Sequence, residues 1–295
     1  MTALALSAFG SHMAPRVVAA VWRREVRTYL SDRSQIFGGV SRTVLWLLIL
    51  GFGLGATLRE IEGYTYAQYI LPGVMVLNVL FAAMQSAFAL VVDRKHGLMR
   101  QILVSPAPML SVTLGKMAGG GTVATLQGSI PLLFAPLIGV PLSLAGILVA
   151  WVVMFAMGFA LTGVGIVIAT RLKGLHGFGS LSNGVIQPLY FLSGSIFPLK
   201  GIVGGIGFLD IPQSLRDELR DYGIHAIGGG WVVELPVWLE TIVRANPISY
   251  MLDLLRLALL EFQQLPVEVS LAVLVAFPLL TIAAANLSLE RLRQA

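Results

Sequence analysis

The sequence predicts an all-α integral membrane protein with six transmembrane helices, an amphipathic helix ahead of the first span and a re-entrant or helical region outside the membrane between spans five and six. Three observations carry this expectation. Only 12% of the residues are charged and 56% are hydrophobic, whereas an ordinary soluble domain is about 25% charged. Several apolar runs reach the roughly 20 residues that a helix needs to cross a bilayer, without the two-residue alternation of barrel strands. The basic residues also partition: the amino terminus, the 93–116 segment, the 171–176 turn and the carboxyl terminus, with Arg42, carry fourteen Lys/Arg against four Asp/Glu, and the opposite side carries six against eleven. The positive-inside rule places both termini in the cytoplasm, a parity that six spans satisfy.

Residues 1–14 read as an extension. They lack the cationic start of a secretory signal and are expected to be retained. Gly10-Ser11-His12-Met13 resembles a cloning scar, which offers Met13 as an alternative natural start. Residues 15–33 form the amphipathic element. From Pro15 to Leu30 a helical projection gathers Arg16, Arg23, Arg24 and Arg27 on one side, and Val18, Val21, Trp22, Val26 and Tyr29 on the other. This is read as an interfacial helix carrying Trp22, Arg23, Arg24, Glu25 and Arg27, either a lever against a partner or an anchor on anionic lipid. Glu25 lies within the apolar side, where a carboxylate wants a cation from another segment unless it is simply exposed.

The membrane domain is expected over 34–295. Its spans are about Ile36–Leu58, Tyr66–Val92, Ser111–Ile138, Leu142–Thr170, Phe178–Pro198 and Pro266–Leu289. The third holds Gly115, Gly119, Gly120, Gly121 and Gly128 for close helix contacts. Residues 199–265 are expected outside the membrane, with a short charged helix over Pro212–Tyr222, another over Pro236–Arg244, and an apolar helix over Ile248–Leu260 carrying Asp253 and Arg256. At about a dozen residues that last helix is too short to span and reads as re-entrant or interfacial.

Several chemistries are excluded. The chain has no cysteine, and His12, His96, His176 and His225 fall outside the apolar runs with no HExxH pattern, so no metal site is expected. No catalytic residue is assigned: an intramembrane hydrolase is disfavoured because Ser180, Ser182 and Ser193 have no basic partner within the spans. No GxxxxGK[ST] loop exists, and Gly115-Lys116 is preceded by Ser-Val-Thr-Leu, so P-loop hydrolysis of ATP is not expected in this chain. The spans hold essentially no ionisable group for ion coupling. The energy then comes from a partner, or the pathway is passive.

The stretches DRKHGLMRQILVSPAPMLSVTLGKMAGGG, LSNGVIQPLYFLSGSIFPLKG and ANPISYMLDLLRLAL, in that order and topology, resemble the membrane subunit of ABC-2 type exporters, a family that includes drug, lipid and lipo-oligosaccharide exporters. The resemblance covers nearly the whole chain from Pro15. It implies a homodimer, or a pair of similar permeases, carrying two cytoplasmic P-loop ATPase subunits that bind the ATP and Mg; no cofactor is expected in this chain and no nucleic-acid partner. It also implies that the 93–108 segment contains a coupling helix docking on the ATPase, through Arg94, Lys95, Gly97, Leu98, Met99, Arg100, Ile102 and Leu103, with Pro106 and Pro108 stiffening its link to the third span. Read without the resemblance, that segment is an ordinary basic cytoplasmic loop.

One departure concerns this helix: many relatives carry an acidic residue near its start or four residues after its glycine, where this chain has Lys95-His96-Gly97 and Gln101. The resemblance places the second and fifth spans along the dimer axis, which makes Asn78, Gln85, Asn183 and Gln187 the polar candidates for a substrate path; interhelical glue is the other reading of such amides. The expected function is ATP-driven export of a hydrophobic or amphipathic molecule, a drug, lipid or glycolipid, across the cell inner (plasma) membrane. The alternative is a non-transporting assembly or sensor subunit that binds a partner through its external insertion.

Overall fold

The computed structural model describes residues 13–55, 63–97, 107–172, 175–197, 200–203, 224–227, 230–234 and 237–294. Helices α1 (Pro15–Ser31) and α2 (Arg33–Trp46, continued by a π-helical stretch Leu47–Leu54) are separated by Asp32, which ends the first and caps the second. Its carboxylate accepts from the Ser34 amide at 3.0 Å, the arrangement that favours Asp at a helix start. The Ser34 hydroxyl and then the Gln35 amide hold that carboxyl below its ordinary pKa.

Helix α3 (Tyr66–Lys95) is the centre of the bundle, and its side chains from Tyr69 to Leu80 are almost all fully buried. At 30 residues it is about 45 Å long, more than a bilayer core needs. Its end is set by Gly97, whose φ of +78° is open to glycine and strained for other residues. Helix α4 (Met109–Gly128) runs on into 3-10 turns over Ile130–Ile138, where Pro131 and Pro136 remove backbone donors and so disfavour regular α-helix. Helix α5 (Leu144–Arg171) starts at Ser143, whose hydroxyl accepts from the Gly146 amide at 3.0 Å.

Helix α6 (Leu175–Phe191) is followed by a turn through Gly194. Strands β1 (Lys200–Val203), β2 (Ile224–Ile227) and β3 (Gly230–Glu234) then form an antiparallel sheet in the order β1-β3-β2. Helices α7 (Val237–Ala245), α8 (Pro247–Leu260) and α9 (Val267–Gln294) complete the described chain. Five of these elements are long and apolar enough to cross a membrane: Arg33–Gly53, Tyr66–Lys95, Met109–Ile138, Leu144–Arg171 and Val267–Gln294. Helix α6, the expected fifth span, has 17 residues, about 25 Å.

The bundle is helical as expected. The sequence reading assigned no strand to the 199–265 region, whereas three short ones pair there; the apolar runs Ile202-Val203 and Trp231-Val232-Val233 are too brief to stand out in so apolar a chain. The expected helix over Pro212–Tyr222 lies outside the described residues.

The glycines of α4 are contact points, as anticipated. A Cβ on Gly115 meets Val21 at 2.7 Å and one on Gly119 meets Glu25 at 2.5 Å, so both sites admit α1; Gly120 faces Thr162 of α5, and Gly128 is closed by Met154 and Val79. Small residues at such spacing let helix backbones approach closely. Helix α1 therefore lies parallel to the start of α4, with the Ala14 amide on the Ser111 hydroxyl at 2.9 Å and the Trp22 indole N–H on the Thr122 hydroxyl at 2.9 Å.

Helix α8 is packed inside the bundle, with Ile248, Met251, Leu252 and Leu255 fully buried. Its Arg256 guanidinium lies 4.2 Å from the Tyr69 ring centroid and donates to the Gly194 carbonyl at 2.7 Å. Asp253 accepts from the Gln264 and Leu265 amides at 2.8 and 3.0 Å, fixing the turn into α9.

Candidate functional site: a helix-lined cleft and a buried ion cluster

Two polar constellations stand out. The first is a cleft of about 210 Å³ between α3 and α6, walled by Phe81, Met84, Phe88, Phe178 and Ile186, with Gln85, Ser182 and Asn183 as its polar groups. Phe88 and Phe178 meet at 5.4 Å between ring centroids. The Ser182 hydroxyl is buried with no hydrogen-bond partner among the described residues. An apolar cleft with a few amides and hydroxyls is the kind of surface that orients an amphipathic molecule without binding an ion.

Of the four amides named from sequence, Gln85 and Asn183 share this cleft, and Gln187 is exposed one turn beyond Asn183 on α6. Asn78 is placed elsewhere. It is fully buried between α2 and α3, where its side-chain oxygen accepts from Arg42 at 3.1 Å and its nitrogen donates to Thr43 at 2.8 Å. Arg42 in turn stacks 4.0 Å from the Phe81 ring centroid. Asn78 thus has the geometry of interhelical glue, and it bonds an arginine within a helix long enough to span.

The second constellation joins α1, α3 and α4. Lys116 Nζ donates to Glu25 Oε1 at 2.8 Å and lies 3.7 Å from Asp93 Oδ2; Arg24 donates to Asp93 Oδ1 at 2.6 Å. The Lys116 and Glu25 side chains are 3% and 9% exposed. Glu25 therefore has the cation from another segment that its sequence context wanted. Arg23 and Arg27 are exposed on the far face of α1.

The cluster was only half legible. Lys116 was singled out as part of the basic segment, but not as a partner. A usable signal existed: Glu25 is the only acid in α1, and Asp93 is the only acid between Glu62 and Asp210. The expectation of essentially no ionisable group within the spans is corrected by Arg42 and Lys116, which lie inside membrane-length helices. Lys116 is tolerated there because it is paired and hydrogen-bonded with carboxylates, while Arg42 is half-buried, hydrogen-bonded to Asn78 and stacked on Phe81.

Of the expected ATPase-coupling residues, Arg94 donates to the Leu172 carbonyl at 3.1 Å, tying the end of α3 to the end of α5. Lys95 occupies the last turn of α3, and Gly97 redirects the chain. Leu98, Met99, Arg100, Ile102 and Leu103 lie outside the described residues.

A buried helical bundle with five membrane-length helices and a mildly polar cleft defines a multi-pass membrane protein of the permease type. The chain belongs to the ABC-2 type transporter family, whose profile matches residues 16–209. It is 26% identical to Nodulation protein J of Sinorhizobium fredii over 61% of this chain and 70% of that protein. The version of that protein from Rhizobium leguminosarum bv. trifolii is 24% identical over 80% of this chain and 79% of its own length. The inner membrane transport permease YadH of Escherichia coli K12 is 22% identical over 88% of each chain. Family membership makes the chain an ABC transporter permease and implies association with an ABC ATPase subunit.

Proposed function

We propose that this chain is the membrane half of an exporter in the inner membrane, moving a hydrophobic or amphipathic molecule out of the cytoplasm or the inner leaflet. ATP and Mg bind on two copies of a separate P-loop ATPase, and a second permease, most simply a second copy of this chain, completes the pathway. The six spans are α2, α3, α4, α5, α6 with its following turn, and α9, with both termini cytoplasmic. The name of the Escherichia coli relative supports an inner membrane location.

The observation that carries this reading is the α3–α6 cleft, which Gln85 and Asn183 line together with aromatic walls. Its apolar lining matches a lipid-like cargo better than a small ion. The ion cluster supplies the mechanical half. The 93–108 segment begins at Asp93, so a push from the ATPase on that segment is passed at once to α1 through Arg24 and to α4 through Lys116. Closure of the ATPase then moves α1, α3 and α4 together and exchanges inward for outward access.

The test is transport by the complete permease–ATPase complex in vesicles, with Gln85→Ala and Asn183→Ala variants. Loss of accumulation with ATP hydrolysis retained supports the cleft as the path. Unchanged transport by both variants removes the cleft from it, and an intact, hydrolysing complex that moves nothing favours an assembly or sensor subunit.

A further inference from the structure

Arg42 stands ten positions into α2, a helix of membrane length, about 13 Å from its first residue. The other cations inside the bundle are answered, Lys116 by Glu25 and Asp93 and Arg256 by the Gly194 carbonyl. Among the described residues, Arg42 pairs with no carboxylate. It makes one hydrogen bond, to the Asn78 side-chain oxygen at 3.1 Å, lays one face on the Phe81 ring, and is half-buried. A guanidinium carries five N–H donors in a fork, so most of its capacity is unused within the described chain. An ionisable group inside a span marks a substrate or ion path by default.

The packing of three helices ties Arg42 to the cleft. Asn78, Phe81 and Gln85 follow one another along one face of α3; Arg42 touches the first two, and the last two line the cleft. Phe81 is common to both. Helices α2 and α6 each run antiparallel to α3: Thr43 meets Asn78 and Gly51 packs on Ala67, while Phe178 meets Phe88 and the Tyr66 hydroxyl reaches the Ile196 carbonyl. They are therefore parallel to each other, and Trp46 of α2 meets Tyr190 of α6 edge-on at 5.6 Å. One turn back from that contact stand Arg42 on α2 and Ile186, a wall of the cleft, on α6. The guanidinium thus lies at the Phe81–Ile186 end of the cleft.

We propose that the α3–α6 cleft takes an anionic amphipath, with Arg42 receiving its phosphate, sulfate or carboxylate group at the Phe81–Ile186 end and the apolar part lying against Phe88 and Phe178. Naming that molecule as the cargo rests on the export reading above, which this narrows from amphipathic to anionic. The residues lining the cleft include no charged side chain, so its amides and hydroxyl orient the molecule and Arg42 selects its charge. A planar guanidinium fork meets two oxygens of such a group at once.

The full chain is reconstituted in phosphatidylcholine nanodiscs and titrated with two dansyl-labelled probes of one alkyl length, an alkyl phosphate and the corresponding alcohol. The parent is expected to bind the phosphate about tenfold more tightly than the alcohol. Arg42→Gln abolishes that preference, and Arg42→Lys, which keeps the charge without the fork, retains part of it. Arg42→Gln leaves an amide to donate to Asn78 and takes an unpaired cation out of the span, so it is expected to fold. Gln85→Trp, which fills the cleft, weakens both probes. Equal affinity for the two probes, a preference retained in Arg42→Gln, or an Arg42-dependent preference that survives Gln85→Trp, as for a lipid phosphate reaching Arg42 from the bilayer, overturns the proposal. The same probes in vesicles holding the complete permease–ATPase complex separate this from export. Arg42-dependent binding without ATP-driven accumulation supports the anion site and counts against export alone, whereas accumulation of both probes with Arg42→Gln without effect overturns the anion site and leaves export standing.

Discussion

Replacing Lys116 with methionine removes a cation that two carboxylates share. Glu25 lies at 2.8 Å and Asp93 at 3.7 Å, and at an effective dielectric near 20 these are gross attractions of about 6 and about 4.5 kcal/mol. Desolvation offsets most of that in the intact cluster, but breaking a buried pair from one side costs about 3–5 kcal/mol. Lys116→Met falls near the top of that range, because it strands Glu25 and leaves Asp93 only Arg24, itself 46% exposed. Glu25→Gln falls near the bottom, since Lys116 keeps Asp93. The double variant recovers part of the loss, with a coupling of about 1–3 kcal/mol between the two positions. Equilibrium unfolding in mixed micelles measures the energies, and trypsin cleavage at Arg23 and Arg27 reports whether α1 has left α4. Single variants within about 0.5 kcal/mol of the parent, with α1 equally protected, refute the idea that this cluster holds α1 to the bundle.

Gly97→Ala places a side chain at a φ of +78° and costs about 1–2 kcal/mol; in the complete complex it is expected to lower transport more than ATP hydrolysis, measured in the same vesicles. Arg256→Met removes the short hydrogen bond to the Gly194 carbonyl, leaving it only the Tyr69 hydroxyl at 3.4 Å, and costs about 1–3 kcal/mol by denaturant titration. The Asp32 carboxyl is held below its ordinary value, first by the Ser34 hydroxyl. Its stabilising effect is therefore full above the unfolded pKa and lost as pH falls through the folded one. The melting difference between the parent and Asp32→Asn is expected to vanish on acidification below the ordinary carboxylate range; a difference that persists there contradicts the assignment.

The helices were readable because each signals itself locally. Asp32 breaks α1 from α2, Gly97 stops α3, Ser143 caps α5, and Asn246-Pro247 opens α8. The glycines of α4 were legible as contacts for the same reason: a missing side chain is visible in sequence. Pairings across distant segments were not. Nothing near Asn78 says that its partners are Arg42 and Thr43, and Lys116 is matched to Glu25, ninety-one residues back, only by the scarcity of acids in the chain and by nothing in its own neighbourhood. The strands of the 199–265 region were hidden because short β runs look like everything else in a chain that is 56% hydrophobic.

The central claim, that ATP hydrolysed by a separate subunit drives export through this chain, is tested most directly in inside-out vesicles holding the permease and its ATPase. With ATP outside, an amphipathic fluorescent cargo is predicted to accumulate in the lumen only when both subunits are present, and to stop accumulating when the ATPase cannot hydrolyse. Full accumulation by the permease alone without nucleotide contradicts the account.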